Sequence, residues 1–560
     1  MHRAVLICGL LLAGGPAADA QSRAAADYLE ALQGVTAASA EVQRVRPLLP
    51  DSIASSLARP GLGARLARWW RAEDPLPATA ENERLEEHLL RVREALDSYP
   101  AETPEGYDDR GRVYVRFGAP TRRRVVDPES DLFIARAIRD EPAVRRTDFP
   151  RNEAWHYPGL EAYYVFVETP TGYEEGTLVD LIPRALRAGG YNATTQSRAE
   201  LLGRVVRWIH KDLFVFDTNI QRRLSDIDAT IGADGQALYD SNTRRQTGLL
   251  VSNVIQRSIS EDERVRRDRD RRLPASRSAA TPVGEIEART ARFLNGPVGT
   301  DDGAVWVGWS QPLASMARRA DSLGASGGPR SLFLVQETRS RFDDAYERIG
   351  DDRSAFLVLP GGAYSEPQWS VLDPVGAEEQ VAIQWDVTPS DREGVPLLSA
   401  PLGQAVLRVD PVAELVEPGA TVALSDLLPL AVSSVDAALE ADRLDGLPAP
   451  HPYRAAPSDR PLTLYYEIYG PADAPAGVTV QLDVEVTRRR DGRLLRARER
   501  ERSTSGLEFV LSSGREPQVV VVEPESLSGA DEVTITVTLT RVGTGERVRR
   551  EATFRVSSPA

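Results

Sequence analysis

Val478-Thr-Val-Gln-Leu-Asp-Val-Glu-Val486 alternates apolar and polar residues without a break, and Val533-Thr-Ile-Thr-Val-Thr-Leu539 repeats the pattern. A period of two sends successive side chains to opposite faces of a strand, so each stretch presents one apolar and one polar face. Leu462-Thr-Leu-Tyr-Tyr-Glu-Ile-Tyr469 follows the same rule, with turn residues at Asp491-Gly492 and Thr544-Gly545. Half-buried strands repeated between such turns predict an antiparallel β-sandwich over residues 401–560. Toward the N-terminus, Ala304–Trp309, Ser331–Val335, Phe356–Leu359 and Val381–Val387 give a further β-rich domain over 281–400.

Before residue 281 the period changes. Residues 196–280 have helical composition, and Glu261–Arg272 is almost wholly charged, which reads as an exposed helix or linker. Glu83, Leu85, Leu89, Leu90, Val92 and Leu96 mark an amphipathic helix within 79–98 that stops at Pro100. It follows a helical region over 21–100, broken at Pro47, Pro50 and Pro60. Over 101–195, Arg112–Phe117, Glu153–Tyr157, Ala162–Val167 and Gly176–Leu181 read as strands of a small sheet packed on helices. The fold class expected is α+β multidomain: a helical N-terminal region, a small α+β domain and a β-sandwich C-terminal half.

At 560 residues the chain is too long for a single core. Its net charge of −15 repels phosphate backbones, so nucleic acid is a poor partner. The interleaved acids of Glu261–Arg272 argue the same way locally. His2 and Arg3, an apolar run from Ala4 to Ala13, and Ala18-Asp19-Ala20 before Gln21 form a signal peptide over 1–20 with cleavage between Ala20 and Gln21. The mature chain is therefore expected in the periplasm, on the outer envelope or outside the cell, with no transmembrane segment. Cys8 is the only cysteine and falls within the signal, which excludes thiolate metal sites and cysteine nucleophiles from the mature chain. Lys211 is the only lysine, so Schiff-base chemistry would rest on it alone.

Residues 68–120 carry a second kind of information. Trp69, then Asp74-Pro75-Leu76-Pro77-Ala78-Thr79 and Asn82, are followed by Gly106-Tyr107-Asp108-Asp109-Arg110-Gly111, a run to Phe117, and Gly118-Ala119-Pro120, with Glu153, Trp155 and Tyr157 beyond. This resembles the GWxTD domain family of bacterial exported proteins, over about residues 60–185. The name-giving motif differs: Tyr107 stands for Trp, Asp108 for Thr, and the motif is one residue shorter. What the resemblance implies is an exported or envelope protein; it transfers no catalytic residue. Read physically, Asp108 or Asp109 caps the turn and pairs with Arg110 or Arg112, Gly111 permits a positive backbone dihedral, and Gly118-Ala119-Pro120 ends the element.

The remaining motifs point to bland readings. Gly324-Ala-Ser326-Gly-Gly328 matches the serine-hydrolase elbow, but a helix-like run precedes it and a strand follows, the reverse of what the elbow needs. His88, His156, His210 and His451 have no metal-site spacing, and His156, flanked by Trp155 and Tyr157 with Glu153 and Asp148 near, is the best lone candidate. Asp226, Asp228, Asp234 and Gly235 miss the calcium-loop register, and Asp301-Asp302-Gly303, Asp343-Asp344 and Asp351-Asp352 read as acidic turns. Asn192-Ala-Thr194 is a formal glycosylation sequon, discounted because the resemblance is to bacterial proteins. Trp155, Tyr157, Tyr163, Tyr164, Phe166 and Tyr173 form an aromatic set suited either to core or to sugar and peptide contacts.

No catalytic residue, metal ligand or cofactor is assigned. The expected role is a non-enzymatic exported or cell-envelope protein whose β domains present interaction surfaces to a protein or envelope polymer. The alternative is an extracytoplasmic hydrolase of polysaccharide or peptide, using carboxylates or Ser326.

Overall fold

Alternation becomes burial where the sequence is cleanest. In Val478–Arg490 the residues Val478, Val480, Leu482, Val484 and Val486 are buried, and those between them are partly or fully exposed. The computed structural model describes residues 25–557 apart from gaps, chiefly 184–195, 232–246, 275–286, 323–331, 359–367, 495–506 and most of 431–454. The described chain combines helices with several antiparallel sheets, an α+β protein whose C-terminal half is β-rich. It divides into two units: one holds residues 71–82 with 281–560, the other 19–70 with 83–280. Among the described residues no helix is long and apolar enough to cross a membrane.

In the smaller unit, α1 (Leu62–Ala72), α2 (Glu83–Ser98) and α3 (Asp109–Phe117) precede a meander of β1 (Arg122–Val126), β2 (Asn152–Tyr157), β3 (Ala162–Thr169) and β4 (Gly172–Gly176). Helices α4 (Gln196–Leu213), α5 (Thr218–Ile231) and α6 (Thr247–Arg272) follow. One sheet face packs Trp155, Tyr157, Tyr164 and Phe166 on Val92, Ala95 and Val113. The other packs Ala154, Tyr163 and Val165 on Val205, Ile209 and Ile220. Helices on both faces leave every residue of β2 buried.

Three expectations fail here. Arg112–Phe117 is helical rather than a strand, because Asp108 accepts hydrogen bonds from the backbone N–H groups of Arg110 (2.9 Å) and Gly111 (3.3 Å) and starts α3. Its apolar alternation survives because α3 packs against both α2 and β4. Gly111 has no positive dihedral; a Cβ there would come within 2.6 Å of the Tyr107 side chain, so the glycine serves close packing. Gly118 does take φ 76° and ends α3. The stretch Gly176–Leu181 is likewise not a strand: β4 stops at Gly176, and Thr177 with Asp180 caps a 3-10 turn over Leu178–Leu181.

In the larger unit the strands are β5 (Glu287–Leu294), β6 (Asp302–Ser310), β7 (Leu332–Phe342), β8 (Arg348–Val358), β9 (Gln368–Gly376), β10 (Gln380–Ser390) and β11 (Gly403–Val409). Next come β12 (Ala423–Leu424), β13 (Leu428–Leu430), β14 (Ala455–Pro457), β15 (Leu462–Tyr469) and β16 (Val478–Arg490). The last are β17 (Arg493–Leu494), β18 (Leu507–Leu511), β19 (Arg515–Val522), β20 (Glu532–Arg541) and β21 (Arg547–Ser557). They form four sheets, ordered β11-β10-β7-β8, β5-β6-β9, β12-β15-β13 with β19 on β15, and β14-β21-β20-β16-β17 with β18 on β16.

Three apolar cores join these sheets in series. Val305, Val307 and Trp309 meet Val335, Ile383 and Trp385 in the first. Phe293 and Trp306 meet Tyr465 and Leu428 in the second, and Leu464, Tyr466 and Ile468 meet Val480, Val484 and Val537 in the third. The sheets carrying β6 and β15 are therefore covered on both faces, and all eight residues of β15 are buried. The expected polar face of Leu462–Tyr469 does not reach solvent; its Glu467 is buried with hydrogen-bond partners of its own.

Candidate functional site

The signature residues are divided between the two units. Trp69 is buried in the N-terminal helical core, whereas Asp74, Pro75 and Asn82 belong to the β-rich unit. Helix α2 accordingly begins at Glu83 rather than at 79.

Asp108, Asp109, Arg110 and Glu153 come together, and they bind one another. Beyond capping α3, Asp108 accepts from Arg110 Nη2 at 2.7 Å and from the Tyr173 N–H at 3.1 Å. Asp109 accepts from the Glu175 N–H at 2.7 Å. The acidic pair thus fastens the start of α3 to the backbone of β4. Arg110 lies 3.7 Å from the Tyr173 ring centre and donates to Glu153 at 3.2 Å. Glu153, 1% exposed, also accepts from Arg123 and from Trp155 Nε1. Tyr157 donates to the Gly118 carbonyl at 2.8 Å. Gly106, at φ 87°, shapes the turn that carries Tyr107 into the core, and Pro120 follows the end of α3. A carboxylate with two guanidinium partners and an indole donor is held in place by all of them, so the arrangement clamps helix to sheet.

The aromatic set is mostly core: Trp155, Tyr157, Tyr163, Tyr164 and Phe166 are buried, and Tyr173 stacks on Arg110. This removes it as a binding face. His156 is buried on the sheet face opposite Trp155, while Asp148 is exposed and accepts from the Arg145 N–H. His88 is buried beside Trp70, and burial with nearby Arg91, Arg84 and Arg44 pushes it down to about 3. His210 Nδ1 donates to the Val206 carbonyl oxygen in α4 at 2.8 Å, and burial lowers its pKa to about 4. Glu261–Arg272 lies in α6 as expected of a helix, but two of its charges are anchors rather than solvated. Asp262 accepts from the Leu178 N–H at 3.1 Å, and Arg269 lies 4.0 Å from the Tyr164 ring centre.

Asp343 closes the β7–β8 turn through the N–H groups of Ala345 and Glu347, Asp228 pairs with Arg207, and Asp351 with Arg348. Residues 1–20, Asn192, Asp234, Gly235, Ser326 and His451 lie outside the described residues.

The recess with open chemistry lies in the β-rich unit, on the outward face of β7, β8 and β10. It measures about 300 Å³. Register sets Arg353, Thr338 and Gln384 in one row across three strands, and Ala355, Gln336 and Asp386 in the next. Residues 71–82 run over this face. Arg408 donates to the Asp74 carbonyl and Arg348 to those of Pro77 and Thr79, while Arg71 pairs with Glu347 at 2.9 Å. The segment turns over residues 76–79, where the Thr79 N–H donates to the Leu76 carbonyl at 2.9 Å, and Ala78 with Thr79 forms one wall of the recess.

Inside, Gln384 Nε2 donates to Asp386 at 3.1 Å, and Gln404 Nε2 donates to Asp386 at 2.8 Å. Gln384 is 3% exposed, and its Oε1 has no hydrogen-bond partner among the described residues. A buried acceptor left unmade costs about 1–3 kcal/mol. Sequence reasoning missed Gln336, Thr338, Gln384 and Asp386 because single polar residues in strands are commonplace. The available signal was Gln336-Glu-Thr-Arg-Ser-Arg341, six polar residues in succession within one strand.

No known family matches this chain, and no curated protein does. Among solved structures, beta-glucuronidase 2 of Bacteroides uniformis, covalently bound to cyclophellitol-6-carboxylate aziridine, aligns over 46% of this chain and 26% of its own. Identity is 12% and the TM-score 0.14, too low to define a shared fold.

Proposed function

We propose that this is a non-enzymatic, exported protein of the cell envelope, of GWxTD type, with a helical N-terminal region, a small α+β domain and C-terminal sandwich modules that carry the contact surface. One observation supports the role most directly. The signature carboxylates and arginines satisfy one another, whereas the polar face of β7, β8 and β10 holds a recess lined by Gln336, Thr338, Arg353 and Asp386. A protein or envelope polymer bound there would meet the polar side chains of Gln336, Thr338, Arg353 and Asp386.

Site-specific photo-cross-linking tests this. A photoreactive residue in place of exposed Gln336 is expected to give a discrete adduct in the native envelope, and one in place of exposed Arg122 is expected to give none. Equal labelling at both positions, or at neither, would reject the recess as the contact site. Release of soluble fragments from envelope polymer by the purified chain would favour the hydrolase reading instead.

A further inference from the structure

Resting on that reading of the recess, we infer that the partner is a polypeptide segment, and that it displaces residues 71–82 of this chain, which hold its place on the sheet.

What the sheet grips in this strap is the main chain. Arg348 on β8 donates to the carbonyl oxygens of Pro77 and Thr79, and Arg408 on β11 donates to that of Asp74. At the start of the strap, Arg71 donates in turn to the Ala345 carbonyl at 3.2 Å. A guanidinium fork needs only acceptors at a suitable spacing, and carbonyls that recur at every residue are what a polypeptide has and a glycan backbone lacks. Charge adds a preference. Desolvation lowers the Arg408 pKa, and the nearby carboxylates of Asp74 and Glu73 oppose that fall. The matching segment therefore carries an acidic residue where the strap carries Asp74.

Lifting the strap leaves the fold of the unit in place. None of its described residues enters the three apolar cores of the β-rich unit. A segment with so little apolar anchorage belongs to the low-stability end of a structure, where local opening begins. Its turn is internal, with the Thr79 hydroxyl donating to the Leu76 carbonyl at 2.7 Å, and moves with it. The strap also fills its place only in part. About 300 Å³ stays open beside Ala78 and Thr79, lined by Gln336, Thr338, Arg353 and Asp386. A partner with a longer polar side chain at that point gains contacts that alanine does not make, and these offset the advantage that tethering gives the strap.

Fluorescence anisotropy of a labelled peptide with the sequence of residues 71–82, titrated with the full chain, provides the test. The parent, whose own strap holds the site, is expected to bind the peptide weakly. A full chain with glycine and serine at 74–79 keeps the carbonyls but loses the turn residues and both prolines, so its strap pays more entropy to dock. It is expected to bind the peptide roughly tenfold more tightly than the parent. In that chain Arg348→Ala and Arg408→Ala, each at an exposed position, are each expected to weaken binding about tenfold. The two separate variants guard against a folding defect in either. No binding by the glycine-serine chain, or an affinity unchanged in both arginine variants, overturns the inference. If Gln336 gives its adduct in the envelope while the peptide stays unbound, the polypeptide partner falls and the recess reading stands; if neither is seen, both fall.

Discussion

Glu153 in the smaller unit and Glu467 in the larger are each 1% exposed, and each lies two residues from an aromatic partner on its own strand. Their surroundings differ in kind. Glu153 is gripped by two arginines and an indole. Glu467 accepts from the hydroxyls of Tyr465 (2.5 Å) and Tyr469 (2.7 Å), with Arg515 farther off at 3.5 Å. Burial holds its carboxyl above the usual range, against the opposing pull of Arg515 and the two hydroxyls. A carboxylate is thus buried in two ways: by matching its charge, or by surrounding it with neutral donors that tolerate its proton.

The sharpest way to break this comparison is Glu153→Ala. It strands the Trp155 N–H and leaves Arg110 to Asp108 alone, breaking a buried ion pair, and a loss of about 3–5 kcal/mol is expected by chemical denaturation. A loss under about 1 kcal/mol would mean that the arginines find water, and that the clamp is not what joins α3 to the sheet. Gly111→Ala tests the same junction through shape: the added methyl meets the Tyr107 side chain, and about 1–3 kcal/mol of destabilisation is expected despite alanine's better helix propensity.

Acid probes the smaller unit next. His88 is lowered to about 3 and His210 to about 4, so the unfolded chain binds protons first as pH falls from 6.5. Their stabilising contribution is present above that pH and fades below it, by up to about 2 kcal/mol for each histidine between pH 6.5 and 5. Urea midpoints at pH 7 and pH 5 measure the slope; His88→Leu should flatten it, and an unchanged slope would remove His88 as its source.

The smallest effect is expected at Glu467→Gln. An amide keeps an acceptor for the tyrosines and gives up the distant arginine, for a change of about 1 kcal/mol or less. The raised carboxyl stabilises most below the unfolded pKa and loses that contribution as pH rises through its folded value. The variant's stability should therefore depend less on pH above about 4.3 than the parent's. A steeper dependence would place the ionised form of Glu467 in the folded state and make the two sites alike.

Legibility in the sequence followed the same division. Val478–Val486 and Val533–Leu539 have one face on a core, and their period declares it. Leu462–Tyr469 also reads as a strand, but its second burial against Phe293 and Leu428 is hidden, because Glu467 and Thr463 look like solvent-facing residues. Arg112–Phe117 misleads for a related reason: packing on two sides of a short helix imitates the alternation of a strand. Asp108 was readable as a cap, yet whether helix or strand followed it depended on the partners of the next six residues. The recess could not be read at all, since Gln384 and Asp386 become a site only when β7 and β8 lie beside them and residues 71–82 close over them.

That last segment has a consequence for the order in which the protein takes shape. Asp74 is joined to Arg408, 334 residues later in the chain. During synthesis residues 71–82 therefore emerge long before the strands that receive them, and stay unplaced until translation has passed β11. A ribosome stalled before that point would display Asp74-Pro-Leu-Pro-Ala-Thr79 to proteases, and cleavage there would cut the chain between Trp70 and Glu83, inside the sequence of a unit whose other parts were already in hand.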